Sequence, residues 1–186
     1  MLRLAIKEPL NFRWYSATSA INHARMKRLV PLLCALLLTA CGGEPPAKLN
    51  TGDAAPAFKT VRLDGTSIEF PTAFAGRPVV LRFWADWCKY CEPEMKLIDT
   101  VRQRHAGLEV LAVNAGQDKA TVTAFMQKLG VGYPAAMDES SKIAKSYGVV
   151  GLPTTFLIDG QGIVRGKIIG EADEAMFERH VQNLLK

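Results

Sequence analysis

The stretch Phe83-Trp84-Ala85-Asp86-Trp87-Cys88-Lys89-Tyr90-Cys91 carries two cysteines separated by two residues. An apolar run over residues 79–84 leads into it, and Glu92-Pro93-Glu94 opens a segment with the composition of a helix. This order predicts a buried strand, a tight turn that bears both cysteines, and then a helix.

Cys88 and Cys91 have the spacing of a dithiol that exchanges electrons with other disulfides. A thiol at the first turn of a helix lies near unpaired backbone N–H groups and the positive end of the helix dipole. Both favour the thiolate, so we expect Cys88 to be a nucleophile near neutral pH. Cys91 lies three residues further on, where it can attack a mixed disulfide formed at Cys88. The pattern therefore indicates two-electron thiol–disulfide exchange.

Half of a structural zinc site is the alternative interpretation of this spacing. Such a site needs two further ligands, and downstream the chain offers only His105 and His180. A C-x-x-C beside alternating strands and helices is more typical of redox proteins. We therefore predict no metal and no separate cofactor, with the Cys88–Cys91 disulfide itself as the redox group.

The net charge of +5 lies entirely in the N-terminal part of the chain. Residues 1–40 contain six Lys/Arg and one Glu, whereas residues 41–186 contain 17 Lys/Arg and 17 Asp/Glu. The basic balance is therefore no indication of nucleic acid binding, because the part that folds is neutral overall.

Residues 26–40 have the pattern of a secretory signal, with Met26-Lys27-Arg28, an apolar stretch over 29–38, and then small residues. The apolar stretch is shorter than the roughly 20 residues that span a bilayer. We interpret residues 1–40 as an upstream segment and signal peptide, with translation starting at Met26 and cleavage before Cys41. Residues 41–56 are rich in Gly, Pro and Ala and are predicted to form a flexible tether ahead of a domain over 57–186.

Leu38-Thr39-Ala40-Cys41 resembles the lipobox of bacterial lipoproteins. The resemblance implies that Cys41 is lipidated and becomes the mature N-terminus, which would attach the protein to a membrane facing the periplasm. Gly42 at the next position is compatible with sorting to the outer membrane, and the inner membrane stays open as an alternative.

The remaining pattern alternates strands with helices. Residues 58–70 alternate around Asp64-Gly65, which predicts a hairpin with a two-residue turn. Further strands are predicted at 79–84, 109–114, 154–158 and 163–169, and helices from the cysteines to about residue 105 and at 118–129, 140–147 and 172–185. This order predicts an α/β domain with a central mixed sheet flanked by helices.

Two motifs resemble the thioredoxin fold and, within it, the TlpA/ResA-like branch of extracytoplasmic thiol–disulfide proteins. The first is the stretch 83–91, and the second is Gly151-Leu152-Pro153-Thr154-Thr155-Phe156-Leu157-Ile158-Asp159. The hairpin at 58–70 and the helix at 118–129 are similar to the N-terminal β-hairpin and the central βα insertion of that branch. The resemblance covers residues 53–186.

The resemblance implies a role for each matching residue of the two motifs. Cys88 would be the attacking thiolate and Cys91 the resolving thiol. Pro153 would be the cis-proline that faces them, and the backbone of Leu152 would pair with an extended substrate segment. Trp87 would offer a flat apolar surface to partners.

Glu94 and Arg82 each have two interpretations. Glu94 matches a glutamate of the branch that lies near the cysteines and influences their proton transfers, or it is a solvated first-turn glutamate that complements the helix dipole. Arg82 stands where many relatives have Asp or Asn. Its alternation with Leu81 and Phe83 directs it beneath the cysteines, where a buried cation needs a partner such as Glu94. The alternative is that Arg82 extends along the sheet to solvent.

The leading interpretation is a periplasmic, membrane-tethered thiol–disulfide oxidoreductase. It would reduce protein disulfides, for example in cytochrome c maturation or oxidase assembly, as a monomer supplied by a membrane electron donor. The same chemistry run as an oxidase or isomerase is an alternative, because Lys89-Tyr90 matches neither the usual reducing nor the usual oxidising dipeptide. Lys89 is expected to lower the thiol pKa and raise the reduction potential.

Two other functions on the same fold fit the sequence less well. A non-enzymatic copper chaperone would carry C-x-x-x-C and a distant histidine, whereas this chain has the shorter spacing. A peroxidase would carry Thr-x-x-Cys before the first helix, and that pattern is missing from the sequence.

Overall fold

The computed structural model describes residues 48–186, so the predicted signal peptide and Cys41 lie outside the described residues. The strands in this part are β1 Phe58–Val61, β2 Ser67–Phe70, β3 Val79–Trp84, β4 Glu109–Ala115, β5 Ala135–Asp138, β6 Thr154–Ile158 and β7 Val164–Ile169. The helices are α1 Cys91–Arg104, α2 Lys119–Leu129, α3 Lys142–Ser146 and α4 Glu174–Leu184.

Five strands form the central sheet in the order β5-β4-β3-β6-β7. β3, β4 and β5 run parallel to one another, while β6 and β7 run antiparallel to their neighbours. All six residues of β3 are buried, as expected for a continuous apolar run in the middle of a sheet covered on both faces. The predicted α/β class with a mixed central sheet is confirmed, and the arrangement is the thioredoxin fold.

Alternate residues of β3 belong to two separate hydrophobic clusters. Val80 and Trp84 pack with side chains of α1, α2 and α4 on one face of the sheet. Leu81 and Phe83 pack with the β1–β2 hairpin and α3 on the other face. The side-chain period of a strand therefore assigns Arg82 to the face that α1 covers.

The β1–β2 hairpin is present, but its loop is longer than the two residues predicted. The last paired strand residues are Val61 and Ser67, which leaves residues 62–66 in the loop. Asp64 accepts hydrogen bonds from the Thr66 backbone N–H at 2.8 Å and from the Thr66 hydroxyl at 2.6 Å. The Asp-Gly pair therefore stabilises the inside of a longer turn, with Gly65 at a φ of 87°.

Strand β5 was not predicted from the sequence. Its residues, Ala-Ala-Met-Asp, are few and carry no β-branched side chain. The strand forms because Ala135 to Asp138 pair in parallel with residues 112–115 of β4. Tertiary pairing thus decides the conformation of a segment with little preference of its own.

Residues 48–56, predicted as part of a tether, pack on the domain. The Gly52 N–H donates to the Val164 carbonyl at 2.8 Å, and the Ala55 N–H donates to the Gly162 carbonyl at 2.9 Å. Leu49 and Ala55 are buried. The packed domain therefore includes residues from 48 onward and does not begin at 57, because the free edge of β7 supplies backbone partners that composition does not reveal.

Among residues 48–186, none of the helices combines the length and the apolar character needed to cross a lipid bilayer.

Candidate active site

The cysteines lie in the turn between β3 and α1 and form the Cys88–Cys91 disulfide. The Cys88 N–H donates to the Ala85 carbonyl at 3.2 Å, and the Cys91 N–H donates to the Cys88 carbonyl at 2.9 Å. Helix α1 begins at Cys91, so Cys88 precedes the helix and is not part of its first turn. Tyr90, the N-cap residue, makes no side-chain capping bond, so the first-turn N–H groups have no side-chain cap there.

The two sulfur-bearing residues differ in their access to solvent. Cys88 is 6% exposed, whereas Cys91 is 0% exposed. In the cysteine turn, Trp87 is 70% exposed and Tyr90 is also exposed, and Val150, three residues before Pro153, is 81% exposed. Exposed aromatic side chains therefore flank Cys88 in the turn, while Cys91 is fully buried.

Pro153 lies beside the end of β3, as the resemblance implies. Phe83 pairs with Thr154 in the antiparallel β3–β6 register, which places Pro153 level with Trp84. The Leu152–Pro153 peptide bond is cis, and the Pro153 carbonyl accepts a hydrogen bond from the Gly170 N–H at 2.8 Å. Within residues 48–186, neither backbone group of Leu152 has a backbone partner.

Arg82 and Glu94 form a buried ion pair between β3 and α1. Arg82 Nη1 lies 2.8 Å from Glu94 Oε1, and Arg82 Nη2 lies 2.8 Å from Glu94 Oε2. Arg82 Nη1 also donates to the Thr155 hydroxyl at 2.7 Å. Arg82 is 0% exposed and Glu94 is 3% exposed.

This geometry decides between the two interpretations of each residue. Arg82 does not extend to solvent, and Glu94 is not a solvated first-turn glutamate, so both of those interpretations are wrong. A two-point guanidinium–carboxylate contact holds both side chains in one orientation. Arg82 therefore links α1, the helix that carries Cys91, to β6, the strand that follows Pro153, because it contacts both Glu94 and Thr155.

A second polar network, which sequence reasoning missed, joins the cysteine turn to the loop after β4. Gln117 Oε1 accepts hydrogen bonds from the Asp86 N–H at 2.9 Å and from Asn114 Nδ2 at 2.8 Å. Gln117 Nε2 donates to the Asp86 carboxylate. The one signal in the sequence is Asn114, a polar residue in an apolar strand, which is fully buried.

Helix α2 packs against the same region. The rings of Phe125 and Trp84 lie 4.7 Å apart between centroids. Lys128 lies 2.9 Å from Glu92 in the first turn of α1, and Lys96 lies 3.0 Å from the same carboxylate. The hydrogen bonds from Lys128 and then Lys96 hold the pKa of Glu92 below its usual value. The central insertion thus contacts the start of the cysteine-bearing helix.

Within residues 48–186, no group of three or more His, Cys, Asp or Glu side chains is arranged to hold a metal ion. His105 lies at the end of α1, where its Nε2 is 2.6 Å from Glu178 Oε1 of α4. His180 lies on α4 near Gly166 of β7. Neither histidine is brought to the cysteines.

Known thiol–disulfide oxidoreductases are similar to this chain. The profile described as the AhpC/TSA family matches residues 51–167. The thiol-disulfide oxidoreductase ResA of Bacillus subtilis is 33% identical over 162 residues, covering 85% of this chain and 89% of the relative. ResA of Bacillus thuringiensis subsp. konkukian is 35% identical over 139 residues, covering 74% of this chain and 80% of the relative.

Solved structures give the same result. A structure described as a thiol:disulfide interchange protein DsbE from Chlorobium tepidum superposes with a TM-score of 0.71 at 28% identity, over 75% of this chain and 100% of that one.

Proposed function

The chain belongs to the AhpC/TSA family and is a TlpA/ResA-like thiol–disulfide oxidoreductase, and on that premise we propose that it reduces disulfides of protein substrates outside the cytoplasm. The observation that carries this proposal is the asymmetry of the dithiol, in which Cys88 is 6% exposed and lies between the exposed Trp87 and Lys89, whereas Cys91 is 0% exposed. A reductant needs one sulfur that a folded substrate can approach and a second that only the first can reach.

The reaction consists of two thiol–disulfide exchanges. The Cys88 thiolate attacks one sulfur of the substrate disulfide, which forms a mixed disulfide and releases the other substrate sulfur as a thiolate. The Cys91 thiolate then attacks Cys88 Sγ, which forms the Cys88–Cys91 disulfide and releases the second substrate sulfur. Two electrons pass from the dithiol to the substrate, and the released thiolates take up the two protons that the cysteines gave up. A membrane dithiol donor then reduces Cys88–Cys91 by the reverse sequence.

The exposed residues around Cys88 supply the docking surface for the substrate. Trp87 provides a flat apolar face, and the unpaired backbone of Leu152 pairs with an extended substrate segment as an added strand. Pro153, which has no N–H, lies beside this segment and adds no competing donor near the sulfurs. The affinity for the substrate then comes from backbone hydrogen bonds, which do not depend on the substrate's side chains, so proteins with different sequences around their disulfides are accepted.

Glu94 assists the resolving step. It lies one helical turn after Cys91 on α1 and is buried on the same side of the sheet as Cys91. We assign it to proton transfer at the Cys91 sulfur, with Arg82 holding its carboxylate in place.

Lys89 favours the oxidising direction, but its position makes this effect weak. Its ammonium lies 5.5 Å from the centroid of the Tyr90 ring, and the side chain is exposed. Solvent and salt weaken the attraction of such a charge for the thiolate. The upward shift of reduction potential that Lys89 favours is therefore small.

We place the protein at a membrane facing the periplasm, attached through lipid on Cys41. This placement is supported by the lipobox-like sequence Leu38-Thr39-Ala40-Cys41. The support comes from sequence, because the described residues begin at 48. The electron donor would then be a membrane protein and the substrates other extracytoplasmic proteins, including those of cytochrome c maturation or oxidase assembly.

The reduction potential of the Cys88–Cys91 pair tests the proposed direction. We expect a value nearer to about −270 mV than to about −120 mV, measured by equilibration with glutathione or thioredoxin. A value near the upper figure would make the protein an oxidase. The Cys91→Ser variant should accumulate mixed disulfides with substrate proteins, and Cys88→Ser should not.

The copper-chaperone alternative has a separate test. Titration of the reduced protein with Cu(I), with Cys88→Ser as the control, measures whether the dithiol holds the metal. Tight binding by the wild type together with no disulfide exchange would replace the proposed function.

A further inference from the structure

Gln117 lies on the loop between β4 and α2, 31 residues from the cysteine turn that it contacts. Its single side-chain amide makes three hydrogen bonds. Two are accepted by Oε1, from the Asp86 N–H at 2.9 Å and from Asn114 Nδ2 at 2.8 Å. The third is donated by Nε2 to the Asp86 carboxylate. Both ends of the amide are therefore committed to holding Asp86.

Asn114 holds Gln117 in this orientation from below. It is fully buried on β4, where its backbone is in register with Trp84 at the end of β3. A buried amide side chain that bonds to Gln117 restricts the rotamer of the glutamine. The loop amide is thus fixed to the sheet and does not move freely at the surface.

Asp86 is the acidic residue nearest in sequence to Cys88. It occupies the second position of the turn that the Cys88 N–H closes onto the Ala85 carbonyl, and its side chain is exposed. A carboxylate close to a thiolate disfavours the ionised sulfur and raises the pKa of the thiol. In this structure the carboxylate is bound by Gln117 on the insertion loop.

The other charged side chains next to the cysteines are already engaged. Glu92 is paired with Lys96 and Lys128, and Glu94 is paired with Arg82. Lys89 lies over the Tyr90 ring, and residues 148–153 of the proline loop carry no charge. The Asp86 carboxylate, by contrast, is held in place by the neutral side chain of Gln117.

We propose that Gln117 is a positioning residue for the dithiol: it keeps the Asp86 carboxylate against the β4–α2 loop, away from the Cys88 sulfur, and so preserves the reactivity of Cys88. The inference rests on the proposed function, in which Cys88 is the attacking thiolate. It also gives the central insertion a role in the chemistry, because Gln117 lies on the loop at the start of that insertion and acts on Cys88 through Asp86.

The test is the rate of alkylation of Cys88 by iodoacetamide, measured against pH in the fully reduced mature chain. The Gln117→Ala variant should react about three- to tenfold more slowly near neutral pH, with its pH profile displaced upward, because one pKa unit is a tenfold change in thiolate. Asp86→Asn should react like the wild type. The double variant Gln117→Ala/Asp86→Asn should return to within about twofold of the wild-type rate, because the carboxylate is gone.

Gln127→Ala is the matched control, since Gln127 is an exposed glutamine on α2. The inference is overturned if Gln117→Ala reacts like the wild type, or if the double variant stays as slow as Gln117→Ala. It also fails if Asp86→Asn alone reacts several-fold faster than the wild type. The alkylation measurement needs no protein substrate. If the wild type exchanged no protein disulfide, the proposed function would be refuted, but the effect of Gln117 on the Cys88 alkylation rate could still be measured.

Discussion

Arg82 is a cation in the centre of a sheet, and its two-point contact with Glu94 explains how the fold accommodates it. Removing a guanidinium and a carboxylate from water is costly, and their mutual attraction offsets this only when the geometry is good. Here both Nη–Oε distances are 2.8 Å, and Thr155 takes a further hydrogen bond. Through Arg82, Glu94 and Thr155 this network joins β3, α1 and β6 on the side of the sheet that α1 covers.

Replacing Arg82 with Met keeps much of the side-chain volume but leaves the Glu94 carboxylate buried without its partner. We expect the free energy of unfolding to fall by about 3–5 kcal/mol, the cost typical of breaking a buried pair. The unpaired carboxylate should also raise the pKa of the thiols, lower the reduction potential and slow the resolution of mixed disulfides. Urea unfolding and thiol titration of the reduced variant measure both effects.

The double variant Arg82→Met/Glu94→Gln removes both charges and should recover most of the lost stability and the thiol titration. Arg165→Met, which breaks an ion pair on the surface with Asp159, should cost no more than about 1 kcal/mol. Should Arg82→Met change stability no more than Arg165→Met and leave the titration as in the wild type, the buried pair has no part in the redox chemistry.

At the scale of elements, two buried tyrosines connect segments distant in sequence. The Tyr133 hydroxyl, just before β5, donates to the Met95 carbonyl in α1 at 2.8 Å. The Tyr147 hydroxyl, at the end of α3, donates to the Pro56 carbonyl of the N-terminal segment at 2.8 Å. Burial raises the pKa of both tyrosines above the ordinary value.

These tyrosines give the domain a stability that is lost at alkaline pH. Because their folded-state pKa exceeds that of an unfolded tyrosine, about 10, the contribution is complete below pH 10 and decreases as the pH rises further. Tyr133→Phe should lower the free energy of unfolding by about 1 kcal/mol at neutral pH through the lost hydrogen bond. Above pH 10 the free energy of unfolding of Tyr133→Phe should fall less steeply with pH than that of the wild type. The difference between the two slopes should be about 1.4 kcal/mol per pH unit.

Urea unfolding at a series of pH values from 7 to 11 provides the measurement. Tyr147→Phe is the matched variant on the other face of the sheet and should reduce the alkaline slope in the same way. Parallel slopes for all three proteins would show that the two hydroxyls do not ionise on unfolding.

At the scale of the whole molecule, residues 1–40 and residues 41–186 differ in net charge. Residues 41–186 carry equal numbers of acidic and basic side chains, so no net charge directs the domain to nucleic acid. The predicted membrane attachment involves Cys41, which lies outside the described residues.

We predict that the mature chain begins at lipidated Cys41. Intact-mass analysis of protein extracted from membranes should show the loss of residues 1–40 and the added mass of lipid. After reduction and alkylation it should show two modified thiols, Cys88 and Cys91, because Cys34 leaves with the signal peptide. An unmodified Cys41, a retained Met1 or a third alkylated thiol would contradict the prediction, and Cys41→Ala should release the protein from the membrane.

Local sequence patterns were enough to locate most of the elements around the site. The apolar run before the cysteines identified β3 within the observed bounds 79–84. The helical spacing after Asp118 identified α2, and Asp118 is the N-cap, accepting from the Thr121 N–H at 3.0 Å. Such signals are readable because strand and helix periods and helix caps involve residues only two to four positions apart.

The sequence by itself thus determined the redox dithiol, the strand and helix that flank it, and the proline that precedes β6. Only the tertiary structure decided that Arg82 pairs with Glu94, that Gln117 holds Asp86, that β5 forms, and that residues 48–56 pack on the domain. Each of these contacts joins residues 12 or more positions apart. Their formation depends on which strands become neighbours in the sheet, and no local period encodes that choice.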